Sequence, residues 1–407
     1  MQYLSLELNN GLKIIHLPSS SPVFYCGFAV NAGSRDESDS CFGIAHFVEH
    51  CLFKGTSKRK SWHILNRMER VGGELNAYTS KEETFIYSIS LAEHAERAME
   101  LLSDLVFHST FPENELEKER EVVADEIDSY LDTPSELIFD EFENLLFADS
   151  ELGHSILGTE MSVSSFNQAG CQDFANKFYY PENIIFFSFG NVRFSKIQYF
   201  AQKYFENIPK KSNFKRARLQ PAHVQTDKVF IDKNLHQAHV VIGGLACSAF
   251  DEKRTALGLL NNIIGGPGMN SRLNISLREK NGLVYTVESC ITSFTDSGVF
   301  NIYFGCDHES KNRCINLVHK ELKRLRDNKL TDSQFASAIK QWKGQLGVAN
   351  DNNENLALRL GKSFLRYGKY ENLLQVYQKI DALTADILLE TANEFLDENR
   401  LSMLVFQ

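Results

Sequence analysis

Apolar and polar positions alternate from the start of the chain. YLSLELN, an Asn-Gly turn, LKIIHL and then VFYCGFAV read as a hairpin followed by a third strand. The period then lengthens to that of a helix over 42–54 and 60–71. TFIYSISL (84–91) reads as a strand, and amphipathic stretches follow at 92–108, 113–131 and 134–147. A helix over 163–179 and the apolar run NIIFFSFG (183–190) close this half.

The order then repeats. Strands are expected at 227–232 and 237–246, helices at 251–264 and 268–280, and strands at 283–293 and 298–306. Helices at 309–328, 332–348, 353–367 and 380–396 lead to a last strand, LSMLVFQ. Ala175, Asn176 and Phe178, ahead of Glu182 and Asn183, are mirrored by Ala392, Asn393 and Phe395, ahead of Glu398 and Asn399. A repeat of roughly 217 residues is a domain duplication, since solenoid periods run about 20–50. The expected division is 1–207, a linker over 208–226, and 227–407. The linker IPKKSNFKRARLQPAHVQT is basic and poor in apolar residues. Without interleaved aromatics it reads as a solvated connection rather than a nucleic-acid patch.

Composition narrows the class. The chain has 407 residues, 43% hydrophobic and 24% charged, with a net charge of −10. That is globular composition, and the acidic balance argues against a nucleic-acid partner. No apolar run approaches the roughly 18 residues of a membrane helix, so no membrane partner is expected. The start lacks a charged region followed by an apolar one, so a cytoplasmic location is expected. The eight cysteines form no CxxC pair and mostly sit in apolar runs, which reads as reduced, buried thiols.

The chemistry concentrates in GIAHFVEHCLFKGT (43–56). His46 and His50 lie four apart, so on a helix both rings project from one face and can reach a single Zn2+. Glu49 sits beside them, where a carboxylate can take the proton of a water that the metal acidifies. This is the reverse of H-E-x-x-H. A third ligand is needed, and ENELEKEREVVADEID supplies Glu119 and Glu126, seven apart and so nearly on one helical face. Val122, Val123 and Ile127 should bury part of that helix and turn its carboxylates inward. His236 and His239, three apart in a strand-like run, would face opposite sides and read as structural.

The HxxEH helix, followed about 75 residues later by E-R-x-V-V-x-x-E-I, resembles the M16 (pitrilysin-like, inverzincin) zinc metallopeptidases. The similarity is to their short two-domain subfamily, which includes the mitochondrial processing peptidase subunits. GGELNAYTSKEETFIYSI (72–89) and GMNSRLNISLREKNGLVYTV (268–287) resemble two further family segments. The resemblance implies an α+β chain of two homologous domains, each a mainly antiparallel sheet with helices packed on one face. It implies His46, His50 and Glu126 as metal ligands, Glu49 as general base, and Glu119 as a supporting carboxylate that orients a histidine. Asn76 and Ala77 would contact substrate backbone, and Arg278 and Tyr285 would meet the substrate from the second half. Aligned on the first half, the second places Ala338 opposite Glu119 and Gln345 opposite Glu126, so one zinc per chain is expected.

The implied activity is zinc-dependent hydrolysis of extended or unfolded peptides. Because a closed chamber in this family needs four such domains, the resemblance also implies a homodimer in which Arg278 and Tyr285 of one subunit complete the zinc site of the other. The alternative is a non-catalytic or partner-dependent subunit of a heterodimeric M16-type complex. The retained ligands, Glu49 and the Arg–Tyr pair argue against it.

Overall fold

The structure is a computed structural model that describes residues 2–211, 218, 221 and 226–407. Most of the expected linker, 208–226, therefore lies outside the described residues.

Two mixed sheets carry the fold. The first holds β1 (Leu4–Glu7), β2 (Lys13–Pro18), β3 (Val23–Val30), β4 (Glu74–Thr79), β5 (Thr84–Leu91) and β6 (Ile184–Gly190), in the order β1-β2-β6-β3-β5-β4. The second holds β7 (Lys228–Ile231), β8 (Ala238–Leu245), β9 (Val284–Ser293), β10 (Gly298–Cys306) and β11 (Ser402–Phe406), in the order β7-β11-β8-β10-β9. Remove β1 and the two orders coincide strand for strand. Each sheet also has one parallel pair, β2–β6 and β7–β11, at the corresponding place. That identity of topology is the structural form of the duplication.

The opening hairpin forms as its residues dictate. Gly11 takes φ +86°, and Leu8 donates its amide to the Leu12 carbonyl at 3.0 Å. A left-handed turn residue is what a tight antiparallel connection needs. From there the alternation in β2 sends Ile14 to one face and Ile15 to the other.

Compactness divides the chain differently from a cut at the linker. One unit comprises Met1–Asp128, His154–Arg218 and Ala349–Asn372; the other comprises Ser129–Gly153, Leu219–Val348 and Leu373–Gln407. Each unit thus takes a helix from the other half of the sequence. In the first unit, helices including Ile44–Cys51 and Ala95–His108 cover one face of the sheet. The helix Asn353–Tyr367 lies on the opposite face, where Ala357, Leu360 and Phe364 pack with Phe85 and Phe187. In the second unit, Pro134–Leu146 does the same, with Leu137, Ile138 and Phe142 packed with Val241, Tyr303 and Leu404. The two exchanged helices begin 219 residues apart, the same separation as the helices Glu113–Leu131 and Asp332–Ala349. They are copies of one element, each serving the other copy's sheet. The architecture is α+β, two homologous and mainly antiparallel sheets with helices.

Candidate metal centre

The helix Ile44–Cys51 is short, and its start is built with care. Gly43 takes φ +95°, and a Cβ there would lie 2.5 Å from the Leu157 carbonyl oxygen. Only glycine fits. The amides of Gly43 and Ala45 both donate to the Glu37 carboxylate at 2.8 Å, which satisfies two of the orphan donors of the first turn. The Glu37 side chain is buried, and burial pushes its carboxyl up, while His154, 3.0 Å away, and the two amides oppose that shift. This carboxylate fixes where the helix begins, and so where His46 and His50 point.

The helix Glu113–Leu131 delivers the remaining acids. Its buried residues are Leu116, Glu119, Val123 and Ile127, at helical spacing. Val123 and Ile127 are core residues as the sequence predicts, whereas Val122 is half exposed. Glu119 lies on the buried stripe and Glu126 at its margin, 44% exposed at the side chain.

These elements bring five predicted residues together. His46 Nε2 and His50 Nε2 stand 3.2 Å apart, and Glu126 Oε2 lies 3.9 Å from the first and 3.5 Å from the second. Glu119 Oε1 is 3.0 Å from His50 Nδ1, and its Oε2 is 2.5 Å from Lys54 Nζ. Glu49 is buried in the helix bearing both histidines, and Thr79 Oγ1 donates to its Oε2 at 3.0 Å. Lys54 and Thr79 escaped the sequence reading. Lys54 is four residues beyond His50, but nothing in the chain marks its distant acid. Thr79 enters only because β4 runs beside the helix.

The donor set fits a zinc ion. Ligands bound at 2.0–2.1 Å in a tetrahedral array stand about 3.3 Å from one another, close to the separations found. Nε2 of His46 faces His50 and Glu126, so it is the nitrogen that ring offers to a ligand, while Nδ1 is buried without a hydrogen-bond partner. Burial and the neighbouring His50 push the His46 pKa down to about 3, leaving its lone pair free at neutral pH. For His50 burial lowers the pKa, but the Glu119 hydrogen bond and the charges of Glu49, Glu126 and Glu119 outweigh it and raise it overall. Three carboxylates around one imidazole thus favour positive charge at this point. Burial raises Glu49 to about 6, a value suited to accepting and returning a proton near neutrality. Glu119 is held below the usual carboxylate range: burial alone would raise it, but its hydrogen bonds to His50 and Lys54 prevail.

Asn76 and Ala77 are half-buried on β4, which has a neighbour on one side only and forms the edge of its sheet. Arg278 and Tyr285 belong to the second unit. Arg278 sits on a single π-helical turn, Asn274–Glu279, a local widening often found at functional positions. Its guanidinium carbon lies 5.6 Å from the centre of the Tyr285 ring, and Tyr285 is 86% exposed. Among the described residues the His46–His50–Glu126 group is the one cluster of metal-ligating side chains. Ala338 and Gln345 leave the second unit without its counterpart.

A two-domain α+β fold with an HxxEH helix and a distant glutamate defines a metallopeptidase-like scaffold, and the comparisons agree. Residues 15–160 match the model of insulinase (peptidase family M16), and residues 165–342 match that of the peptidase M16 inactive domain. The chain is 33% identical over 398 residues to the uncharacterized zinc protease YmxG of Bacillus subtilis, covering 97% of this chain and 96% of that protein. It is 30% identical over 418 residues to the mitochondrial-processing peptidase subunit beta of Saccharomyces cerevisiae, covering 98% and 89%. Among solved structures, the fold is similar to a peptidase M16 inactive domain from Pseudomonas fluorescens, with a TM-score of 0.92 at 21% identity over 100% of this chain and 98% of that one. A protease from Helicobacter pylori gives 0.90 at 21% identity, covering 100% and 99%. This chain belongs to the M16 peptidase family.

Proposed function

We propose that the protein is a zinc-dependent endopeptidase acting on extended or unfolded peptides. The observation that carries this reading is the convergence of His46, His50 and Glu126 beside a buried Glu49. A Zn2+ held by those three side chains would polarise the scissile carbonyl and acidify the attacking water. The chain's own residues do the rest. Glu119 holds the proton of His50 on Nδ1 and leaves Nε2 free to ligate. Thr79 pins one oxygen of Glu49, so the other is available to the water. Glu49 accepts that proton and returns it to the leaving amine.

Substrate selection follows from β4. An extended peptide can add to the open edge of the first sheet and be gripped through its backbone, with Asn76 and Ala77 on the strand it would meet. A folded protein would first have to release an extended segment before it could add there. Arg278 and Tyr285 have the chemistry to hold a peptide carbonyl and stabilise a developing oxyanion. We assign them to the zinc site of a partner subunit in a two-fold homodimer. We extend the proposal to a cytoplasmic location. Among the described residues no helix is long and apolar enough to cross a membrane.

Glu49→Gln tests the mechanism. The amide keeps the shape but cannot take the proton, so peptide cleavage should be lost while zinc stays bound. Undiminished cleavage would remove Glu49 from the reaction. Mixing that variant with an Arg278→Ala, Tyr285→Ala variant should restore activity if sites are shared between subunits. No recovery in confirmed mixed dimers would contradict the shared site.

A further inference from the structure

Away from the metal-ligating residues, a cleft of about 270 Å3 opens between the helices Ser61–Glu69 and Ala95–His108 and the loop before the first. Its wall holds Lys58, Arg59, Arg67, Arg70 and Arg97, and no carboxylate lines it. In a chain with a net charge of −10, five cations around one small cavity stand against the overall balance. Two of the five are offset from behind. Arg59 donates to Asp104 at 2.5 Å and to both oxygens of Glu100 at 2.7 and 2.8 Å, and Arg67 reaches Glu100 at 3.3 Å. Lys58 and Arg70, both exposed, have no carboxylate within ion-pair distance among the described residues, so positive charge remains in surplus.

The same wall presents Trp62, 53% exposed, stacked on the His63 ring at 3.7 Å and 30°. About half of this indole is open to solvent beside the cationic cavity. It is suited to a flat ring, since aromatic stacking with a base contributes about 1–3 kcal/mol. Arginine forks match phosphate oxygens in pairs. The volume of about 270 Å3 lies just below the range of small-ligand pockets, about 300–1,000 Å3, so one small molecule held here would extend beyond the cleft.

We propose that this cleft binds a small phosphate-bearing ligand with a planar ring, of the nucleoside polyphosphate class. The cations hold the phosphates, and Trp62 holds the ring. Inorganic polyphosphate shares the first recognition and lacks the second, so the two sources separate by experiment.

The test is calorimetric titration of the full chain with ATP and with pyrophosphate at low salt. Both should bind saturably, with ATP about tenfold tighter, as one stacking contact implies. Lys58→Glu with Arg70→Glu should weaken both by about tenfold or more. Trp62→Ala should bring ATP to the pyrophosphate level and leave pyrophosphate unchanged. All three positions are exposed, and circular dichroism checks that the variants fold. The proposal fails if neither probe binds saturably, if the charge reversals leave affinity unchanged, or if Trp62→Ala leaves ATP unaffected. It also fails if a single-stranded oligonucleotide displaces ATP at far lower concentration than free nucleotide does, which would assign the cleft to a polymer.

Discussion

Glu119 Oε1 lies 3.0 Å from Nδ1 of His50, and this one contact decides which nitrogen of the ring faces His46. A carboxylate on Nδ1 keeps that nitrogen protonated and makes Nε2 the more basic ligand. Glu119→Gln retains a hydrogen bond but loses the charge. Zinc affinity should fall by about 10- to 100-fold, measured by competition with a chelating dye. Unchanged affinity would show that the contact orients nothing.

Thr79 lowers the Glu49 pKa against the burial that raises it. Thr79→Val removes the donor, so Glu49 should become harder to ionise. The ionised form is the one that accepts the proton, and the acidic limb of the kcat/KM profile should therefore move to higher pH, by about one unit for the loss of about 1.4 kcal/mol. A limb that stays in place would separate Thr79 from the general base.

Glu37 accepts two amides at the start of the ligand helix and contacts His154. Glu37→Ala leaves those donors unpaired at a buried helix end. Stability should drop by about 1–3 kcal/mol, read from urea midpoints, and zinc affinity should fall with it. Loss of stability without loss of affinity would confine Glu37 to the fold.

His16 is fully buried against Ser188, and burial lowers its pKa to about 4. The unfolded chain binds this proton below about pH 6.5 while the folded chain does not. The folded pKa is the lower one, so the stability contribution is complete above pH 6.5 and is lost as pH falls toward 4. The loss is about 3 kcal/mol at most. Urea midpoints should fall over that window, and His16→Gln should flatten the dependence. A slope that survives the substitution belongs to other groups.

Much of this was legible in the chain. The helices Glu113–Leu131 and Asn353–Tyr367 and the strands Thr84–Leu91 and Gly298–Cys306 have the expected bounds, because amphipathic period and flanking turns coincide there. The pattern does not mark β4: ELNAYT lies on a half-buried edge, where alternation is weak. Nor does it mark the helix Leu373–Asp381, which buries only Ile380. The exchange of Pro134–Leu146 and Asn353–Tyr367 left no local mark, because an amphipathic helix looks the same whichever sheet it covers. At the candidate site, the residue types and their spacing could be read from sequence. The caps and tethers supplied by Glu37, Lys54 and Thr79 could not, since each meets its partner through tertiary packing.

The exchanged helix offers its own test. Leu360 is fully buried between the Asn353–Tyr367 helix and the first sheet. Leu360→Ala should cost about 2–5 kcal/mol, measured by urea denaturation. A loss below about 1 kcal/mol would mean that the helix is not seated in solution.

In the proposed mechanism His46, His50 and Glu126 together hold one zinc ion. The most direct test of that mechanism is the zinc content of exhaustively dialysed protein, wild type beside Glu126→Ala. The expected result is close to one zinc per wild-type chain and a large loss in the variant. Wild-type protein that retains no zinc after preparation with ample metal, or a variant that keeps its full complement, would contradict it.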